Sequence, residues 1–124
     1  MKKLSNKQII LLHQILIEET GGLDGLRDEG LLDSAVHAPF QTFDGLDLYP
    51  SVHTKAARLA YALIKNHPFL DGNKRIGILS MLTFLELNGV TVECGNDDLI
   101  MLGQGLADGS MNDKQLEEWI LSHS

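Results

Sequence analysis

The sequence predicts an all-α fold, and three observations carry that reading. Apolar residues recur at helical spacing in six separate stretches. Several of these stretches open on a capping residue and close on glycine or proline. Only one short segment carries a hairpin signal. The expected architecture is a compact helical bundle with a buried central helix and a small β-hairpin, forming a single domain over 1–124.

Taken in order, Ser5 with Gln8 forms a capping-box pattern, followed by Ile9, Leu12, His13, Leu16 and Ile17 on one face. Thr20-Gly21-Gly22 stops that helix. Asp28 caps a short second helix carrying Leu31, Leu32, Ala35 and Val36, and Pro39 ends it. Phe43-Asp44-Gly45-Leu46 sets Asp-Gly between apolar residues, the pattern of a tight hairpin. A third helix starts after Pro50, with Val52, Ala56, Leu59, Ala60, Leu63 and Ile64 in its stripe. A fourth is expected from Asp71, as N-cap, to Asn88, with Gly89 as the residue that closes it. It is apolar almost all round, through Ile76, Ile78, Leu79, Met81, Leu82, Phe84, Leu85 and Leu87, and should therefore be the buried centre. Val90-Thr91-Val92 reads as a brief extended piece. Asn96 and Asn112 are expected to cap two shorter helices, the last bearing Leu116, Trp119 and Ile120.

Composition narrows the function. The 124 residues carry a net charge of −7, which argues against nucleic acid or anionic membrane held through bulk charge. A phosphate-bearing ligand would need a local cluster of positive groups. Cys94 is the only cysteine, so disulfide frameworks and cysteine-based zinc sites are excluded and a reducing compartment is expected. The two N-terminal lysines are followed by no apolar run suited to a signal peptide or spanning helix, so the expectation is a cytoplasmic protein.

The chemistry concentrates in His67-Pro68-Phe69-Leu70-Asp71-Gly72-Asn73-Lys74-Arg75, at the junction of two helices. His67 is an imidazole at a loop start, where Pro68 forbids continuation of the helix. Gly72-Asn73 allow a ligand close to free backbone N–H groups, and Lys74 and Arg75 add two cations in the first helical turn. Cations are normally unfavourable there, because the macrodipole is already positive; an anion at the site offsets the repulsion. Asp71 supplies a carboxylate that suits a magnesium ion bridging phosphates. A histidine within reach can take the proton of an attacking hydroxyl. The residues read as nucleotide-dependent transfer of a phosphate-containing group to a hydroxyl. Phe69 and Leu70 read as core, with Phe69 anchoring the loop from beneath. His13 reads as a satisfied core-edge residue. His37 and His53 show no metal-ligand spacing, no adjacent His-Asp pair exists for a metal-dependent phosphohydrolase, and Cys94 lacks a nearby base.

This stretch resembles the signature of the Fic/Doc (Fido) family, His-x-Phe-x-Asp/Glu-Gly-Asn-x-Arg, and the lysine at 74 resembles its Doc branch, the "death on curing" toxins of toxin–antitoxin pairs. Arg27-Asp28-Glu29-Gly30-Leu31-Leu32 and Tyr49-Pro50 through Ala56-Ala57 are similar as well. The resemblance implies a general base in His67, magnesium coordination by Asp71 and an anion pocket of Gly72, Asn73, Lys74 and Arg75 around ATP. It also implies a target-docking flap at Phe43, Asp44, Gly45 and Leu46, which fits strand addition. The implied activity is phosphorylation of a translation factor, elongation factor Tu being the candidate, restrained by a Phd-like antitoxin. Two letters point to the other branch: Gly72 stands where the founding Doc signature has alanine, and Pro68 is the more Fic-like letter. Transfer of AMP, as in Fic enzymes, therefore stays open, as does a non-catalytic antitoxin-binding or co-repressor module. The nearest match to the inhibitory motif of self-restraining Fic proteins, Thr20 to Gly25, has Asp24 for Glu and two glycines, and is read as a loop.

Overall fold

The computed structural model describes all residues, Met1–Ser124, as six α-helices and one two-stranded hairpin. Helix α1 (Asn6–Thr20) opens on the expected capping box. Gln8 N–H donates to Ser5 Oγ at 3.2 Å and Ser5 N–H to Gln8 Oε1 at 2.8 Å. Asp28 caps α2 (Glu29–His37) through Leu31 N–H. Pro39 does not follow a bare helix end; it sits inside a single 3-10 turn at Ala38–Phe40, where its missing N–H is not needed. The hairpin pairs β1 (Thr42–Phe43) with β2 (Leu46–Asp47), and Asp44 and Gly45 both take positive φ, 53° and 79°. That is the turn whose twist matches paired strands.

Helices α3 (Val52–Asn66) and α4 (Asn73–Leu87) form the centre together. α3 packs against α2, α4, α5 (Asn96–Asp108) and α6 (Asp113–Ser122), and α4 against α1, α3 and α5. The single buried helix expected at α4 is thus a pair: the stripe of α3 is widened by Ala57 and Ala62, whose short side chains bury a second face. Ala56, Ala60, Leu63, Ile76, Met81, Phe84 and Leu85 join Ile9, Leu32, Leu106, Leu116 and Ile120 in one core.

Three local expectations fail. The N-cap of α4 is Gly72, not Asp71. The N-cap of α5 is Gly95, with Asn96 its first residue and Asp98 bonding back to Gly95 N–H. Val90-Thr91-Val92 forms no strand, because its N–H and C=O groups meet no ladder. Val90 N–H instead closes the end of α4 on Leu85 O at 2.9 Å, and Gly89, at φ 81°, makes the turn as expected.

The close approach of the two central helices centres on Gly77. A Cβ there would lie 2.7 Å from Ile64 Cγ1 and 3.3 Å from the Ala60 carbonyl. Overpacking a filled core costs about 1–3 kcal/mol, and alanine returns about 1 kcal/mol of helix propensity. Gly77→Ala is therefore expected to lower stability by about 0–2 kcal/mol net, read as a reduced urea midpoint at unchanged slope. A variant more stable than the wild type would show that the helices do not meet there.

Candidate active site

The signature loop spans the gap between α3 and α4. His67 is the C-cap of α3 and adopts the left-handed conformation (φ 53°, ψ 53°), its N–H donating to Leu63 O at 3.2 Å. For a residue with a Cβ this conformation costs on the order of 1–2 kcal/mol, so the surroundings must hold it. Gly72, also left-handed at φ 76°, turns the chain into α4. Its Cα region faces Ile17, Arg75 and His13 closely enough that a side chain would meet all three.

Three sets of contacts fix the loop. Asn73 is buried and spends its amide on one residue: Phe69 N–H donates to Asn73 Oδ1 and Asn73 Nδ2 donates to Phe69 O, both at 3.0 Å. The Phe69 ring is 1% exposed and stacks on His13 at 3.9 Å between centroids. His13 is far more than a core-edge residue. It is itself buried, its Nε2 donates to the Asp71 carbonyl at 2.7 Å, and its Nδ1 lies 3.6 Å from an Asp24 carboxylate oxygen. The third set comes from the α1–α2 connection. Arg27 and Asp28 N–H groups donate to Pro68 O, Leu70 N–H donates to Gly25 O, and Leu26 bridges Phe69 antiparallel. The Arg27 guanidinium reaches the carbonyls of His67 (2.7 Å) and Asn66 (3.1 Å).

What remains free defines the site. The His67 and Lys74 side chains are exposed. The N–H groups of Asn73, Lys74 and Arg75 have no acceptor in the protein, and Gly72 provides no side-chain cap. They leave an open, positively polarised helix start with two cations beside it, an arrangement able to receive an anion. Asp71 does not cap that helix. Its Oδ2 accepts from Leu23 N–H (3.1 Å) and its Oδ1 from Gly72 N–H (2.8 Å). The Leu23 bond, then the Gly72 bond, hold its carboxyl below the ordinary carboxylate range, with Arg75 and His13 adding to the effect against some desolvation. It is ionised at neutral pH. Each oxygen accepts one N–H and the side chain is 45% exposed, which leaves lone pairs open to solvent.

Arg75 is engaged from the other side. Its Nη1 donates to the Thr20 hydroxyl and to Gly21 O (2.9 Å), and its Nη2 lies 3.8 Å from Asp71. The Thr20–Gly25 segment is a loop beyond Thr20, as expected, yet it touches both the arginine and the carboxylate of the site. Beside it opens a cleft of about 480 Å³ between α1, α4 and α5. Leu16, Ile78, Leu82 and Leu99 line it, and Lys74 and Arg75 stand among its walls. Its sequence signal was the apolar circumference of α4, of which Ile78, Leu79 and Leu82 face this cleft while Ile76, Met81, Phe84 and Leu85 face the core.

The nine contiguous signature residues come together as expected; the hairpin does not join them by any hydrogen bond or ion pair. It is rooted at the opposite end of α3. Buried Lys55 donates from Nζ to the Tyr49 carbonyl and sits 3.4 Å from Asp47 Oδ2. Lys55 and His67 are twelve residues apart, about 18 Å along a helix. Phe43 and Leu46 at the tip are 74% and 73% exposed. Sequence reasoning missed Lys55, and it missed any role for Arg27 and Asp24. Cys94 is exposed with its thiol pushed up, chiefly by desolvation, consistent with an inert residue. No helix is long and apolar enough to cross a membrane.

The same chain resembles known proteins over most of its length. The model of the Fic/DOC family matches residues 3–85. Toxin Doc of Mycolicibacterium smegmatis (strain ATCC 700084 / mc(2)155) is 46% identical over 77 residues, 62% of this chain. That match spans 59% of the mycobacterial protein, less than two-thirds of its length. Protein kinase doc of Escherichia phage P1 is 31% identical over 112 residues, 90% of this chain and 87% of the phage protein.

The Asn73 amide gives the site its most direct stability test. Asn73→Ala leaves Phe69 N–H and C=O buried and unpaired, at about 1–3 kcal/mol each. The expected loss is about 2–6 kcal/mol in urea unfolding, and Asn73→Asp, which keeps an acceptor but buries a carboxylate against the Phe69 carbonyl, should be destabilised as well. Wild-type stability in both would show that Asn73 does not hold the loop.

Proposed function

Because the chain belongs to the Fic/DOC family, we propose that it is a Doc-like toxin and protein kinase. It passes the γ-phosphate of ATP to a Ser or Thr hydroxyl of a translation factor, with elongation factor Tu the candidate acceptor, and so halts translation in the cytoplasm. One observation carries the reading. Three unpartnered N–H groups and two cations stand at the start of α4, and an exposed histidine opens the loop that leads into it. Terminal phosphates are the most highly charged part of a nucleotide, and Lys74 adds a long cation where they would lie. The name of the phage relative, protein kinase doc, supports phosphoryl over AMP transfer.

The roles follow from position. Asn73, Lys74 and Arg75 N–H groups receive the phosphates, at the edge that Gly72 keeps clear. The Arg75 guanidinium exchanges neutral acceptors, Thr20 and Gly21, for charged oxygens, a stronger bond. No group of three metal-ligating side chains exists, and a single open carboxylate at Asp71 fits magnesium held jointly with phosphate oxygens. When bound, that ion neutralises charge on the phosphates. His67 accepts the proton of the attacking hydroxyl, the oxygen bonds to the γ-phosphorus, and ADP leaves. An extended target segment of about five or six residues covers the distance from the hairpin root to His67, and strand addition at the hairpin, with Phe43, Asp44, Gly45 and Leu46 as the flap, would deliver it. Restraint in trans by a Phd-like antitoxin suits the apolar cleft, whose occupant would reach Lys74 and Arg75 together. An acidic chain without a spanning helix suits neither nucleic acid nor membrane as direct partner.

Incubation of the protein and elongation factor Tu with ATP labelled at the γ- or the α-phosphate tests the reading. Retention of γ-label, its loss in His67→Ala with the fold intact, and weaker transfer by Lys74→Gly are expected. Retention of α-label alone would assign AMP transfer instead, and no retention of either would favour a non-catalytic antitoxin-binding or co-repressor module. Arg75→Ala should weaken binding of ATP with magnesium by about 1.5–3 kcal/mol in calorimetry. Unchanged affinity would place the nucleotide elsewhere.

A further inference from the structure

Arg27 is an exposed arginine that forms no ion pair, although Asp24, Asp28 and Glu29 are its near neighbours in sequence. Its guanidinium goes instead to two backbone carbonyls, Nε to His67 O and Nη2 to Asn66 O. These are the last carbonyls of α3, which no helical N–H serves. A cation there also complements the negative end of the helix dipole. His67 meanwhile holds a left-handed conformation without being glycine, and it precedes Pro68, which restricts it further. Two constraints oppose the backbone that points the imidazole outward, and Arg27 is the side chain that bonds directly to that residue's carbonyl. We infer that Arg27 is a positioning residue. It fixes the peptide plane of His67 and so aims the imidazole at the acceptor hydroxyl, without touching nucleotide or target.

The inference rests on the assignment of His67 as base, and it separates from a general stabilising role. The backbone N–H groups of residues 27 and 28 remain on Pro68 O when the side chain is cut back, so the loop stays attached. Losing only the aim lowers the rate of the chemical step and leaves substrate binding alone. A misplacement near 1 Å can cost about 100-fold in rate.

The experiment compares the wild type, Arg27→Ala and Arg27→Lys in two measurements. The first is NMR of His67 labelled with carbon-13 and nitrogen-15. The second is γ-phosphate transfer from ATP to elongation factor Tu. In Arg27→Ala, the His67 Cα and Cβ resonances should leave their left-handed values, kcat should fall about 100-fold, and KM for ATP should stay within about twofold. Arg27→Lys, able to reach one carbonyl, should recover part of both signals, and it decides the matter should the alanine variant not fold. Unmoved His67 resonances, a wild-type kcat, or a rise in KM equal to the fall in kcat/KM would overturn the inference. A wild type that labels no acceptor, with resonances that still shift in Arg27→Ala, would remove the proposed reaction and leave the positioning of His67 standing.

Discussion

The site depends on one buried pair of hydrogen bonds, those joining the Asn73 amide to both backbone groups of Phe69. A loop between two helices leaves orphan donors and acceptors at both ends, and burial makes each unpaired group costly. Asn73 solves this for the middle of the loop from the first position of α4. The ring of Phe69 can then go down into the core while its backbone stays satisfied. With Phe69 fixed, His13 has a flat surface to stack on and a carbonyl, that of Asp71, to bond. The remaining loop atoms are forced outward. Lys74 and Arg75 stand in the next positions of the same helix, so the interaction that closes the loop also sets the direction of both cations.

This division explains what the sequence made legible. His67 to Arg75 form a contiguous run whose meaning lies in local spacing, and local spacing survives in one dimension. The capping box at Ser5, the cap at Asn112 and the turn at Asp44-Gly45 were readable for the same reason. The contacts that hold the run are different in kind. His13 lies 58 positions from Asp71, and Arg27 lies 40 from His67. A side chain bonded to a distant carbonyl leaves no periodicity and no motif. Lys55 was hidden likewise: a lysine in the apolar half of α3 reads as a solvated stem, and only the fold puts the Tyr49 carbonyl over it.

The failed caps have a common cause. Asp71 and Asn96 are residue types that favour the N-cap, and propensity places them there. In each case a glycine immediately before the helix took the position. At α4 the outcome has a chemical consequence. An aspartate at the N-cap would fold its carboxylate back over the first N–H groups and neutralise them. Moved one residue earlier, Asp71 bonds Leu23 and Gly72 instead, and the N–H groups of residues 73–75 stay open. The helix start is open because the expected cap is absent.

The open helix start carries an electrostatic tension that the surroundings only partly relieve. Lys74 and Arg75 sit at the positive end of α4, an arrangement unfavourable without an anion. The chain supplies partial substitutes: the Thr20 hydroxyl and Gly21 carbonyl on Arg75, and the Asp71 carboxylate 3.8 Å away. These acceptors are neutral or distant, so they hold the guanidinium in place without discharging it. Lys74 receives none of them. A ligand bearing several negative charges gains from both cations and displaces only weak contacts, whereas a neutral ligand must displace the same contacts and gains nothing from the charges. For the proposed nucleotide, selectivity for a polyphosphate over its nucleoside would follow from how incompletely the protein satisfies its own cations. A net charge of −7 over the whole chain keeps that positive region local.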